Sequence, residues 1–429
     1  MPKEVENLKV TTISRPFGWA EAPRCRFCDS RLRHVFADLG MSPLSNSYLN
    51  PHDLARMEPF YPLLALVCEQ CFLVQLEEFE TPDHIFSDYS YFSSYSDTWV
   101  EHARVYTDGI VERLGLKSNS RVVELASNDG YLLQHFVARG ISVLGIEPAA
   151  NIAQSAIEKE IPTLVEFFGE GMAFRLVAEG VRADLIVGNN VLAHVPRLND
   201  FVKGMKILLK PGGVITLEFP HLMRLIEENQ FDTIYHEHFS YFSFLTARRV
   251  IAAQGLTVFD VEELSTHGGS LRIYACHQED ESKPVGERVH DLAAREEAAA
   301  VTNLETYISF GEKVKRTKRN FLKFLIRVKS EGRSVVGYGA PAKGNTLLNY
   351  CGVRTDFIDY TVDRSPHKQG QFLPGTHIPI YHPDRIKETR PDYVLILPWN
   401  LTDEITQQMA YIRDWNGRFI VPIPEVKLL

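Results

Sequence analysis

From Arg121 to Glu218 the chain alternates short apolar runs with amphipathic stretches, and this alternation restricts the fold more than any other feature. Arg121-Val-Val-Glu-Leu125 breaks at Ala126-Ser-Asn-Asp-Gly130. A helical stretch follows over 131–139, then Ser142-Val-Leu-Gly-Ile146 ends in Glu147. The pattern continues with a helix from Ala149, a strand near Thr163, a helix near Gly171, a strand over 183–187, a helix near Phe201 and a strand over 213–218. Apolar runs this short, separated by helices, are expected to pair into a largely parallel, doubly wound sheet. A second, smaller α/β unit begins at Arg333. Its strand 334–338 runs into Gly339-Ala-Pro-Ala-Lys-Gly-Asn345, and further strands are expected at 357–360 and 393–397. Residues 285–330, between the units, read as a long connecting helix or hairpin whose acidic-to-basic drift marks a solvated face. A helix is also expected over 99–114.

Ahead of these units stand two cysteine pairs, Cys25-Arg-Phe-Cys28 and Cys68-Glu-Gln-Cys71. A CxxC pair chelates Zn²⁺ from one tight turn, and a second pair completes a tetrahedron of sulfur. With four thiolates no coordination position is left for water, so the ion is expected to be structural. Two disulfides or four unrelated thiols are the alternatives, and the neat doubling of CxxC favours zinc. An aromatic, hydroxyl-rich stretch, Asp88-Tyr-Ser-Tyr-Phe-Ser-Ser-Tyr-Ser96, closes this segment.

At 429 residues there is room for two or three domains. The net charge is −9 and no dense Lys/Arg block stands out, so no nucleic-acid partner is expected. The polar N-terminus lacks a secretory apolar region, and no apolar run reaches transmembrane length, so no membrane role is expected. Only Cys276 and Cys351 lie outside the pairs, which suits a reducing, cytoplasmic compartment. The expected organisation is a zinc-binding domain over 1–105, a central Rossmann-like domain over 106–300 and a C-terminal Rossmann-like domain over 301–429. A monomer or weak homodimer is expected.

Ligands of open α/β sheets bind at the carboxyl ends of strands, where the turn from Glu124 to Gly130 lies. Its glycines do not follow GxGxxG. An acid on the first strand (Glu124), then the small turn Ala126, Ser127, Asn128 and Gly130, instead suits S-adenosylmethionine. The cationic methionine end of that cofactor favours nearby acids. Glu147, ending the next strand, is placed to accept both ribose hydroxyls. Phe167 and Phe168 would flank the adenine, and Asn189 and Asn190 would face the same crevice.

Tyr235-His-Glu-His238 is the clearest candidate for chemistry. Its histidines are two apart, unlike the i, i+4 pair of HExxH metal sites, so proton transfer fits better than metal binding. His194 follows the cofactor crevice and is placed to reach the same pocket. An oxygen acceptor needs one base. A carbon beside a ketone needs a base for the C–H and a donor for the enolate oxygen, and Tyr, His and Glu supply both.

The chain resembles the S-adenosylmethionine-dependent sugar C-methyltransferases that act on nucleotide-linked 4-keto-deoxysugars. The resemblance runs through the CxxC pairs, Val123-Glu-Leu-Ala-Ser-Asn-Asp-Gly130, Gly145-Ile-Glu-Pro148 and Asn189-Asn-Val-Leu-Ala-His194. It continues through Phe231-Asp-Thr-Ile-Tyr-His-Glu-His238, Thr266-His-Gly-Gly-Ser-Leu-Arg272, Gly337-Tyr-Gly339, Lys343-Gly-Asn-Thr-Leu-Leu-Asn349 and Pro398-Trp-Asn400. It implies that the central domain binds the cofactor, with Pro148 beside Glu147. It implies that His238 removes the C3 proton of a 4-keto-6-deoxy sugar, and that Tyr235 and His194 donate to the enolate oxygen. Glu237 would orient a base or bind a sugar hydroxyl, and Tyr89 would reach in from the N-terminal domain. Lys343 and Asn345 would hold the pyrophosphate or sugar, Asp363 the nucleoside, and Arg272 the diphosphate. Pro341 departs from the small-residue loop usual in the family, which puts the phosphate contacts in doubt. The rival readings are O- or N-methylation of a sugar nucleotide, and a non-catalytic zinc- and nucleotide-binding scaffold.

Overall fold

The computed structural model of the protein describes residues 22–81 and 92–429. The first unit is a small antiparallel sheet of β1 (His34–Ser42), β2 (Tyr61–Val67) and β3 (Val74–Leu76). The cysteine pairs sit beside it on two tight turns. All four Sγ atoms lie within 4.8 Å of one another. The Cys25–Cys71 and Cys28–Cys68 sulfurs are 3.5 Å apart, too far for a disulfide and suited to ligands around one ion. Gln75 on β3 donates to Cys25 Sγ at 3.2 Å, and the Gln70 amide donates to Cys68 Sγ at 3.4 Å. Such N–H···S bonds are the usual outer support of a thiolate zinc site. Hydrogen bonds with Cys25 push the Cys68 thiol up to about 12 and raise Cys71 as well, while Cys25 is lowered. A dication at the centre would remove that conflict among four close sulfurs. The four residues therefore fit a closed Zn²⁺ site.

The central sheet begins with β4 (Arg121–Leu125), β5 (Ser142–Ile146), β6 (Thr163–Leu164), β7 (Ala183–Asn189) and β8 (Leu209–Pro220), all mutually parallel. The two-residue strand β9 (Ser240–Tyr241) leaves this sheet and pairs antiparallel with β3. β10 (Leu256–Leu264) and β11 (Ser270–His277) then add an antiparallel edge through β8. The order is β10-β11-β8-β7-β4-β5-β6. The expected parallel, doubly wound sheet is thus present, extended by two antiparallel strands. Strand order reverses between β4 and β7, and their carboxyl ends form a switch-point crevice.

The C-terminal sheet has β12 (Val335–Tyr338), β13 (Thr361–Val362), β14 (Ile380–Tyr381), β15 (Tyr393–Ile396), β16 (Arg418–Val421) and β17 (Lys427–Leu428), in the order β14-β13-β12-β15-β16-β17. All are parallel except β17. The strand expected at 357–360 starts later, at Thr361. The Phe357 and Ile358 amides turn back onto the Arg354 carbonyl, so the apolar run is spent in a turn. Its own switch point lies between β12 and β15.

Residues 285–330 form three helices, Glu287–Ala298, Leu304–Ile308 and Phe310–Ser330. The last buries Phe310, Val314, Phe321, Phe324, Leu325 and Val328 along one stripe and leaves its cations outside. Phe310 stacks on Phe36 of β1 at 4.5 Å. Each fully buried phenyl contributes about 1.5–3 kcal/mol, so this helix welds the first unit to the last. The helix Asp97–Leu114 runs through the boundary expected at 105/106, and buried Tyr106 bonds Thr216 of β8 at 2.6 Å. No helix of the described residues is long and apolar enough to cross a membrane.

The support that Gln75 gives Cys25 can be measured. Gln75→Ala is expected to weaken zinc binding about 10–100-fold, as loss of an outer-shell partner does elsewhere. Competition with a chromophoric chelator reads this directly, and unchanged affinity would remove Gln75 from the metal site.

Candidate active site

A cavity of about 690 Å³ opens between the carboxyl ends of the central and C-terminal sheets. Ala126, Asn128, Ile146, Glu147, Pro148, Phe167 and Phe168 line one end. Asn189 and Asn190 continue that end, and His194, Tyr235, Glu237 and His238 line the middle. Pro341, Lys343, Lys368 and Asn400 close the other end.

The cofactor end is built by a turn of unusual backbone. Ala126 and Asn128 adopt φ of 56° and 49°, followed by Gly130 at 77°. Glu147 holds this turn: one carboxylate oxygen accepts the Asn128 amide and the other the Ala149 amide, each at 2.9 Å. Each oxygen keeps a further lone pair for a ribose hydroxyl. Burial raises the Glu147 pKa against those two amide bonds. Asn189 lines the cavity with both side-chain amide atoms buried and unpartnered among the described residues. Buried polar atoms without partners call for a ligand. With Phe168 edge-on to Phe201 at 5.6 Å as an aromatic wall, these groups fit S-adenosylmethionine.

The candidate proton-transfer residues sit on a β-turn. The His238 amide bonds the Tyr235 carbonyl at 2.9 Å, so residues i and i+3 face each other. Tyr235 Oη lies 2.8 Å from His238 Nε2, and His238 Nδ1 lies 3.2 Å from the Thr233 carbonyl. A carbonyl only accepts, so the proton sits on Nδ1 and Nε2 takes the tyrosine hydroxyl. The His194 ring stands edge-on to His238 at 4.7 Å. Burial lowers His194 to a pKa of about 4 and, with the neighbouring His194, takes His238 well below its ordinary value. Both imidazoles are neutral near pH 7. Glu237 accepts a 2.6 Å bond from Asn46, which follows β1. His236 points away, toward the Pro62 carbonyl at 3.2 Å, so the turn gathers three of its four polar residues rather than all of them.

At the far end burial lowers Lys343 to about 8, with Asp232 opposing the shift. Its Nζ bonds Asn400 at 2.6 Å and lies 4.6 Å over the Trp399 ring. Trp399 in turn donates to Asp232 at 2.7 Å.

Several expected site residues lie elsewhere. Glu124 is buried beneath the turn, where burial, then Glu147 and Asp129, push its pKa well up, and it does not line the cavity. Ser127 packs against Gly145, where a Cβ would approach its hydroxyl to 2.5 Å. Gly130 gives room to Ile161, whose Cδ1 would be 2.4 Å from a Cβ there. Arg272 donates to Glu218 at 2.8 Å and stacks over Tyr106 at 4.5 Å, so its charge is spent inside the protein. Asn345 is fully buried in the helix Ala342–Cys351; its side-chain amide atoms have no partner among the described residues, as at Asn189, but it does not line the cavity. Asp363 caps the Ala340 and Ser365 amides, both at 2.8 Å, and so shapes the loop rather than lining the cavity. Tyr89 lies outside the described residues. Conversely, Asn46, Trp99, Lys368 and Asn400 line the cavity without having been singled out as ligands. Asn400 and His267 sit in motifs visible in the sequence, whereas nothing local marks Asn46.

The Arg272–Glu218 pair separates a structural from a substrate-binding role. Glu218 is fully buried and also accepts from Thr266 and bonds His102, each at 3.0 Å. Burial alone would raise its pKa, but His102 and Arg272 outweigh that and lower it. The stability it contributes is therefore present above the unfolded carboxylate pKa and lost as pH falls through the lower folded value. Arg272→Met is expected to cost about 3 kcal/mol by taking the guanidinium from buried Glu218 and leaving it only His102 and Thr266. Urea unfolding checks this; a selective loss of acceptor affinity with intact stability would restore Arg272 to the binding site.

Three family models cover the chain. One described as "Putative zinc binding domain" matches residues 25–86, a methyltransferase domain matches 99–261, and a C-methyltransferase C-terminal domain matches 265–424. The C-methyltransferase NovU of Streptomyces niveus is 35% identical over 407 residues, 94% of this chain and 96% of NovU. A methyltransferase of Mycobacterium leprae described as uncharacterized is 27% identical over 99 residues, 23% of this chain and 36% of that protein. Among solved structures, an S-adenosylmethionine-dependent methyltransferase from Clostridium acetobutylicum aligns with 9% identity and a TM-score of 0.33, covering 44% of this chain and 92% of that one. With cofactor end, cysteine site and near full-length kinship in agreement, the chain belongs to the S-adenosylmethionine-dependent C-methyltransferase family.

Proposed function

We propose that the acceptor is C3 of a nucleotide-linked 4-keto-6-deoxy sugar, and that it reacts as an enolate. The observation that carries this reading is the Tyr235–His238 hydrogen bond beside His194, in one cavity with the cofactor end. It joins a base lone pair to hydroxyl and imidazole donors, the combination that α-carbon deprotonation needs.

In this reading His238 Nε2 takes the C3 proton and becomes imidazolium. The C–H electron pair becomes the C3–C4 double bond, and the carbonyl π pair moves onto the C4 oxygen. Tyr235 and His194 donate to that oxygen, and Glu237, steadied by Asn46, orients a sugar hydroxyl. An imidazole lowered by burial is a weak base, and a bound dianionic diphosphate would raise its proton affinity. Lys343 and Lys368 supply positive charge at the end of the cavity where such a diphosphate would lie. S-adenosylmethionine, when bound, supplies the electrophilic methyl group. Holding both reactants in one cavity converts the encounter into an oriented, effectively unimolecular step.

The test is NMR of dTDP- and GDP-4-keto-6-deoxy sugars in deuterated buffer with the enzyme. Deuterium is expected at C3 without cofactor, and a C-methyl product with it. His238→Ala should lower both rates about 10²–10⁴-fold, the usual contribution of general base catalysis. Tyr235→Phe should slow exchange while leaving cofactor affinity unchanged. Methylation that survives both substitutions, or a product methylated on oxygen or nitrogen, would sink the enolate reading.

A further inference from the structure

The loop Thr266–Gly268 and Gly269, between β10 and β11, carries three successive residues with positive φ: His267 at 53°, Gly268 at 89° and Gly269 at 118°. The two glycines are required there. A Cβ on Gly268 would lie 2.6 Å from the Trp399 ring, and one on Gly269 would lie 2.9 Å from Arg224. His267 shares this left-handed conformation, which histidine adopts more readily than most side chains.

The imidazole it presents lines the cavity. Its Nε2 lies 3.3 Å from Asn190 Nδ2, and its ring meets Trp99 edge-on at 5.1 Å. Trp99 stacks on His102 at 4.8 Å, and His102 bonds the buried Glu218, so the wall behind His267 is rigid. On the opposite side Gly268 abuts Trp399, the ring beneath Lys343. Burial, followed by the charge of Lys343, lowers His267 to about 4. It is a neutral hydrogen-bonding group at the seam of the two Rossmann-like units, opposite neither end of the cavity alone.

We propose that His267 is a further substrate-contacting residue, which hydrogen bonds a hydroxyl or carbonyl oxygen of the acceptor and so selects oxygenated acceptors. This assignment rests on the acceptor being a sugar nucleotide. His267→Asn and His267→Gly test it, because both residues tolerate positive φ. Both variants are expected to fold, with a melting temperature equal to or above that of the parent. Titration calorimetry with S-adenosylmethionine alone should give an affinity within twofold of the parent. The kcat/KM for the 4-keto sugar nucleotide should fall about tenfold, mainly through KM, as for one lost hydrogen bond. Parent-like kinetics in both variants would overturn the role of His267 alone. A tenfold loss of cofactor affinity with unchanged acceptor KM would assign it to the cofactor instead. A parent enzyme inert toward every 4-keto sugar nucleotide would remove the acceptor reading and this assignment with it.

Discussion

Two backbone pairings, Val74 with Tyr241 and Gln75 with Ser240, tie the cysteine-bearing sheet to the segment that carries the candidate base. The Leu76 amide adds a bond to the Phe239 carbonyl at 3.1 Å. Gln75 also donates to Cys25 Sγ, and its carbonyl oxygen accepts the Arg26 amide at 3.0 Å. A continuous path therefore runs from the metal ligands through β3 to a strand that begins two residues after His238. A two-residue strand has little stability of its own, and sheet neighbours must supply it. The cysteine site thus supports the position of the turn that carries Tyr235 and His238.

The second constraint is that two switch-point crevices share one cavity. Open α/β sheets bind ligands at the carboxyl ends of strands where strand order reverses. Here β4/β7 and β12/β15 present such ends to the same space, and the helix Phe310–Ser330 fixes the C-terminal unit against the N-terminal sheet. The cofactor end is acidic and amide-rich, through Glu147, Asn189 and Asn190. The opposite end carries Lys343 and Lys368. This charge division suits a sulfonium donor at one end and an anionic acceptor at the other.

Much of this was legible in the sequence because it rests on local chemistry. The CxxC pairs identify their ion from spacing alone, and strand–turn–helix periodicity places Glu147, Asn189 and Asn190 at strand ends. Tyr235 and His238 were legible as a contiguous polar cluster, and their convergence follows from a single β-turn. The side chains that the sequence left open were those that could turn either way. Arg272 has the charge for a diphosphate, but β11 sets it against Glu218 of the adjacent β8. Glu124 has the charge for a sulfonium, but it is buried beneath the turn and does not line the cavity. Asp363 ends its strand as a ligand would, yet its carboxylate organises the loop backbone and does not line the cavity.

The sequence by itself determined the α/β class and the thiolate site and singled out Tyr235 and His238 as candidates, since each depends on residues near one another in the chain. Only the tertiary structure decided which charged groups face the cavity. It brought Asn46 to Glu237 across 191 positions and Trp399 to Asp232 across 167. It also set His267 at the seam between the two Rossmann-like units. Such pairings depend on long-range packing, where desolvation and partner geometry decide whether a polar side chain is structural or available, and no local pattern encodes that choice.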